Sequence, residues 1–216
     1  MKIKEGIETL QGRPVDIPNC GRHDLPEFFK EMGFKRGVEI GVYKGEFSEV
    51  LAQYGGELTS IDPWLLYEDY GNPRGQERLD EQYRMTCELL GKYPNVKILR
   101  KTSMEALKDF EDNSLDFVYI DGNHQFAYVA QDIYHWARKV KKGGIICGHD
   151  YAIYKSVNLC GGCHAKEVVD AYVKAYNIKD FWILGRNRAP EGEKRDKWRS
   201  WLIVKDYDTP HHVVPN

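Results

Sequence analysis

Nothing in this 216-residue chain provides the run of about 18 apolar residues that a membrane-spanning helix needs. The opening MKIKEGIETLQGRP also lacks an apolar stretch of secretory length, so a soluble, cytoplasmic protein is expected. An excess of either charge is missing too. With 31 Lys and Arg against 33 Asp and Glu, a net charge of −2, no global field draws the chain to nucleic acid or to an anionic membrane. The chain shows no internal repeat, no low-complexity segment and no Asn-Pro-Pro-Tyr string of the kind used on flipped bases. Its five cysteines are odd in number, and a chain of this length needs no disulfide framework, so reduced thiols are expected.

What is present suffices for one substantial core, since 42% of the residues are hydrophobic. Residues 1–35 read as a lead-in: a polar segment with Pro14 and Pro18, then a short helix from Leu25 to Met32. Asp24 is placed to cap that helix, Glu27 to complete a capping box and Gly33 to end it. From Gly37 the pattern becomes regular. Short apolar runs at Val38 to Gly41, Leu58 to Ile61, Val96 to Leu99, Phe117 to Ile120 and Ile145 to Cys147 predict buried strands. Helical periodicity separates them, clearest where Phe126, Val129, Ile133, Trp136 and Val140 recur at steps of three and four. Such alternation predicts an α/β domain over residues 36–205, a doubly wound parallel sheet with helices on both faces. Residues 63–95 are longer than a plain connection and predict an insertion over the ligand edge, with a helix from Gln76 to Leu90. After a helix from Ala165 to Tyr176, Phe181 to Leu184 and Trp201 to Val204 predict an antiparallel pair at the sheet's edge. The tail, 206–216, is expected to be loose.

The first chemical signature is Val38-Glu39-Ile40-Gly41-Val42-Tyr43-Lys44-Gly45, a strand running into a glycine turn and then a helix. The next strand ends at Asp62, about 20 residues past Gly41, the offset at which an acidic side chain meets a ribose diol. Glu39 selects the ligand further. A carboxylate at this turn repels a pyrophosphate but favours an ammonium or sulfonium group, and the glycine spacing is not that of pyrophosphate-binding turns. The alternative is that Glu39 merely pairs with Lys44 or Arg36.

EIGVYKG, SIDPW at 60–64, RKTSMEAL at 100–107 and the DGNH and GHDY strand ends together resemble the class I S-adenosylmethionine-dependent methyltransferases. Within that group the chain is most similar to the small O-methyltransferases with a divalent metal beside the cofactor, including sugar, macrolide and cephalosporin-hydroxylase-like proteins. The resemblance implies a Rossmann-like sheet of seven strands with the last antiparallel, and S-adenosylmethionine across its carboxyl edge. It also implies that Glu39 and Gly41, with Gly45 in the same turn, hold the methionine part, Asp62 the ribose, and Ser103 with Met104 the adenine. Trp64 would border that pocket.

The second signature is the pair of strand ends in LDFVYIDGNHQFAYVAQDIYHWARKVKKGGIICGHDY. Methyl transfer from a sulfonium requires the acceptor oxygen to be positioned and deprotonated. Asp121 and Asp150 are natural ligands for a hard cation such as Mg2+, and His149 is a third. His124, three residues after Asp121, is the candidate base. In the resembled sugar methyltransferases an acidic residue stands where this chain has His149, which shifts the expected metal toward manganese, iron or zinc. The competing expectations are that Asp121 caps the next helix or touches only the cofactor, and that His149 bonds to backbone.

Cys160-Gly161-Gly162-Cys163-His164 matches a haem-attachment string and offers zinc ligands, but a plain glycine loop entering the next helix is favoured. Tyr67, Tyr70, Tyr151 and Tyr154 either stack on a ring substrate or pack the loops. The expected function is methylation of a hydroxyl on a small sugar, polyol or phenol, with a metal assisting. Metal-free transfer with His124 as base, or a non-catalytic cofactor-binding subunit, is the alternative. The acceptor is not legible, and a homo-oligomer is left open.

Overall fold

The computed structural model describes residues 1–66, 75–153 and 162–208, and over these strand and helix alternate as the periodicity predicts. In chain order the elements are α1 (Ile3–Thr9), β1 (Val15–Ile17), α2 (Leu25–Glu31), β2 (Arg36–Ile40), α3 (Glu46–Leu51), β3 (Glu57–Ile61), α4 (Gly75–Leu90) and β4 (Val96–Leu99). Then follow α5 (Ser103–Ala106), β5 (Leu115–Ile120), α6 (Phe126–Lys139), β6 (Val140–Gly148), α7 (Ala165–Ala175), β7 (Trp182–Leu184) and β8 (Trp201–Val204). No helix among the described residues is long and apolar enough to cross a membrane.

The sheet has eight strands in the order β1-β7-β8-β6-β5-β2-β3-β4. All neighbours are parallel except β8, which runs antiparallel to β6 and β7. The count corrects the expected seven. The extra strand, β1, lies in the lead-in and pairs parallel with β7, Val15 opposite Trp182. Three residues with Asp16 in the middle and a proline on either side carry no strand periodicity, so the pairing comes from β7 rather than from local propensity. All six residues of β5 are buried, as a central strand with both faces covered requires. Val118 and Ile120 face a core under α6 and α7 with Ile133 and Trp136, while Phe117 and Tyr119 face the other layer with Phe29, Phe47 and Leu51. Phe29 stacks on Phe117 with ring centroids 3.9 Å apart.

Two local expectations differ in detail. Asp24 stands at the start of α2 without capping it, because its carboxylate accepts from the Gly21 N–H at 2.8 Å and from Lys194 at 2.6 Å instead. At the far end, Tyr207 is not loose: its hydroxyl donates to that of Tyr172 at 2.9 Å. The helix expected at 76–90 is the crossover between β3 and β4, and it docks through Leu79 and Leu90 onto Val42 and Trp64.

Candidate functional site

The carboxyl ends of the parallel strands form one edge, where sheets of this kind bind ligands. One half of that edge belongs to β2 and β3. Gly41 has φ +89°, and a Cβ there would lie 2.1 Å from the Asp121 carbonyl oxygen, so only glycine lets the ends of β2 and β5 close on each other. The Asp121 N–H donates to the Ile40 carbonyl at 2.7 Å across this junction. Gly45, at φ +78°, then turns the chain into α3.

Asp62 holds the turn from the neighbouring strand. One of its carboxylate oxygens accepts from the Val42 and Tyr43 N–H groups, both at 2.9 Å, and the other accepts from the Trp64 N–H at 2.8 Å. Two turn amides of the kind that cradle a phosphate are therefore given to an internal carboxylate. Glu39 lies buried beneath the turn, where it accepts from the hydroxyls of Ser48 and Ser60. Burial pushes its pKa up to about 8; the two serines oppose the shift, and the charges of Asp121 and Asp62 add to it. An ion pair with Lys44 or Arg36 is not formed among the described residues.

The remaining residues expected on this side are more committed than the sequence suggests. Trp64 is 1% exposed, its indole N–H donates to the Tyr43 carbonyl at 2.8 Å, and it packs against Tyr83. Ser103 opens α5, donates to the Asp132 carboxylate and accepts from the Trp136 indole at 2.7 Å. Burial raises Asp132 to about 7, against the Ser103 hydrogen bond. Met104 packs partly buried on the main core.

The other half of the edge gathers ionisable groups. Asp121 follows β5, and His149 and Asp150 follow β6, with the His149 N–H bonded to the Ile120 carbonyl at 3.1 Å. His124 Nε2 lies 3.3 Å from Asp150 Oδ2, and His149 Nδ1 lies 3.4 Å from the same oxygen and 3.9 Å from Asp121. Ligand atoms of Asp121, His124 and Asp150 all fall within 4.8 Å of one another, so the set able to share an ion includes His124 where the expected set had His149. The Nε2 of His149 is buried with no partner, as is the Nδ2 of Asn123. Burial pushes Asp121 up to about 6, with His149 and His124 opposing. Asp150 is also penalised by burial, yet the hydrogen bond from His149 and the charge of His124 hold it below the ordinary carboxylate range.

Two residues of this half were not anticipated. Arg22, from the lead-in, places Nη1 3.4 Å from Asp121 Oδ2. His164 clamps the start of α6: its N–H donates to the His124 carbonyl at 2.9 Å, and its Nδ1 accepts from the Phe126 N–H at 3.1 Å. Arg22 has no local sequence signal, and the Cys-Gly-Gly-Cys-His string that marks His164 does not reveal its contact with α6, because each depends on distant segments meeting. Cys163 is buried, with Sγ 3.5 Å from the Asp150 carbonyl. Tyr151 is core rather than surface, its hydroxyl donating to Asp170 at 2.6 Å. Tyr67, Tyr70, Tyr154, Cys160 and Gly161 lie outside the described residues.

A family model described as a methyltransferase domain matches residues 38–151, from the middle of β2 to just beyond β6. "Uncharacterized protein y4gI" of Sinorhizobium fredii (strain NBRC 101917 / NGR234) is 39% identical over 123 residues, which are 54% of this chain and 13% of that protein. "Uncharacterized protein R132" of Acanthamoeba polyphaga mimivirus is 27% identical over 154 residues, 68% of this chain and 66% of that protein. The chain thus spans less than two thirds of either relative's length. Among solved structures, the O-methyltransferase from Bacillus cereus in complex with SAH superposes with a TM-score of 0.58 at 13% identity, covering 85% of this chain and 80% of that one, a likeness of fold.

Proposed function

Because the chain belongs to the methyltransferase-domain family, we propose that it moves the methyl group of S-adenosylmethionine to a hydroxyl of a small molecule. The observation that carries the cofactor reading is the use made of the glycine turn. With the Val42 and Tyr43 amides bound to Asp62, the turn offers a dinucleotide no free phosphate cradle there, and its nearest side-chain charge, the Asp62 carboxylate, suits a sulfonium or an ammonium instead. The Asp62 oxygen that, among the described residues, accepts from Trp64 alone keeps a lone pair for a ribose hydroxyl. Gly41 and Gly45, which shape the turn, are the proposed neighbours of the methionine part. Ser103 and Met104 are the proposed adenine neighbours. Trp64 supports the pocket from beneath, consistent with its burial.

On the acceptor side, two carboxylates and an imidazole within 4.8 Å fit a divalent cation, and Asp121, His124 and Asp150 are the residues proposed to hold it. Such an ion, when bound, supplies a Lewis acid that lowers the pKa of the acceptor hydroxyl. A second reading follows from the 3.3 Å contact between His124 and Asp150. There the Asp150 carboxylate orients the imidazole, and His124 takes the hydroxyl proton without a metal.

Methyl transfer from labelled S-adenosylmethionine to a panel of sugars and phenols, with and without chelator, tests both. Turnover lost on chelation and restored by Mg2+ or Mn2+ supports the metal reading. Turnover indifferent to chelator but cut roughly 10²–10⁴-fold in His124→Ala, at unchanged donor affinity, supports the base reading. Tight donor binding with no transfer to any acceptor would leave a non-catalytic cofactor-binding subunit. A chain that binds no S-adenosylmethionine would end the proposal.

A further inference from the structure

Arg22 is held more carefully than a counter-ion to Asp121 requires. Its backbone N–H donates to the Asp196 carboxylate at 2.6 Å, from the charged loop between β7 and β8. The neighbouring Gly21 lies so close to that carboxylate that a Cβ would sit 2.8 Å from both its oxygens. The guanidinium then stacks 4.7 Å over the Phe47 ring, on the helix that follows the glycine turn, and neighbours the Tyr119 hydroxyl. These contacts bring a cation from the lead-in to the boundary between the two halves of the edge.

For all this anchoring, the charge pair itself is loose. A docked arginine fork meets a carboxylate through two bonds of about 2.7–2.9 Å, whereas Arg22 reaches Asp121 through one nitrogen at 3.4 Å. The side chain remains 29% exposed beside Asp121, and a guanidinium carries five N–H donors, more than this one contact uses. Two exposed apolar side chains follow the same strand ends: Phe126, at the start of α6, and Ile153, just past β6, are 58% and 63% exposed.

We propose that Arg22 recognises the acceptor by an acidic group, a carboxylate on an aromatic or otherwise apolar body that bears the methylated hydroxyl. The inference rests on the methyltransferase reading above. Arg22 fixes the anionic end of the acceptor by a forked, charge-assisted contact, the two exposed apolar side chains cover its apolar body, and the hydroxyl is left to face Asp121, His124 and Asp150.

The test compares acids with their uncharged amides. Binding of 3,4-dihydroxybenzoate and 3,4-dihydroxybenzamide, and of glucuronate and glucuronamide, is measured by calorimetry on the full chain saturated with S-adenosylhomocysteine. The wild type should bind the aromatic acid at least tenfold more tightly than its amide. Arg22→Gln should bring the two within threefold, with S-adenosylhomocysteine affinity unchanged. Arg22→Lys, which keeps the charge but loses the fork, should retain a reduced preference and guards against a Gln variant that does not fold. Equal binding of acid and amide by the wild type, binding of neither, or a preference that survives in Arg22→Gln would overturn the proposal. A better fit for glucuronate than for the aromatic acid would overturn the apolar body. Failure to bind S-adenosylhomocysteine at all would instead count against the cofactor reading on which the proposal stands.

Discussion

The two halves of the carboxyl edge are built in opposite ways. On the β2–β3 side the carboxylates of Glu39 and Asp62 are satisfied by the protein itself, through serine hydroxyls and turn amides drawn from residues 39–64. On the β5–β6 side Asp121, His124, His149 and Asp150 face chiefly one another, and Arg22 and His164 join them from distant segments. The first half is a preassembled frame of local origin. The second is a cluster of ionisable groups whose partners are mainly one another.

The junction between the halves is the most sensitive place to break. Gly41→Ala drives a Cβ into the Asp121 carbonyl and forces a side chain into left-handed backbone. It should cost about 3–5 kcal/mol by urea unfolding and abolish donor binding and turnover together. A loss of turnover alone would show that the halves are not welded there.

Asp62→Ala acts on one half only. Donor affinity should fall roughly 10–100-fold, the size of one or two charge-assisted hydrogen bonds, while the preference among acceptors stays as in the wild type. A changed acceptor preference would show that the turn reaches across the edge.

The mildest effect sharpens the contrast through pH. Glu39, raised to about 8 in the folded protein, keeps a proton that the unfolded chain releases near pH ~4.3. The unfolded state therefore binds fewer protons between those values, and the ligand-free protein should lose stability as pH rises through that window. Glu39→Gln should flatten this part of the melting-temperature profile. An unchanged slope would mean that Glu39 is ionised in the folded state.

The same division explains what could be read from the chain. Strand ends carry their chemistry by position, so Asp121, His124, His149 and Asp150 were visible as a group once the strands were recognised. The glycine turn and Asp62 were visible for a like reason, since residues 38–45 and one further strand end contain everything needed. Arg22 was not, because its place depends on Gly21 meeting Asp196, a contact across most of the chain. His149 and His124 could not be ranked as ligands, because ranking them requires distances. β1 was missed because its pairing with β7 supplies what a three-residue run lacks. Asp24 misled for the converse reason: a sound local capping signal lost to Gly21 and Lys194.

That short strand also decides which backbone one edge of the sheet presents. Without β1, the sheet would end at β7, whose backbone groups would be open to pairing with another chain. β1 closes that edge and offers in its place three residues flanked by Pro14 and Pro18, neither of which has an N–H to donate. The lead-in therefore does two jobs: it carries Arg22 to Asp121 and covers the outer backbone of β7. A shortened chain beginning near Arg36 would lose both, together with the Phe29 ring that stacks on Phe117.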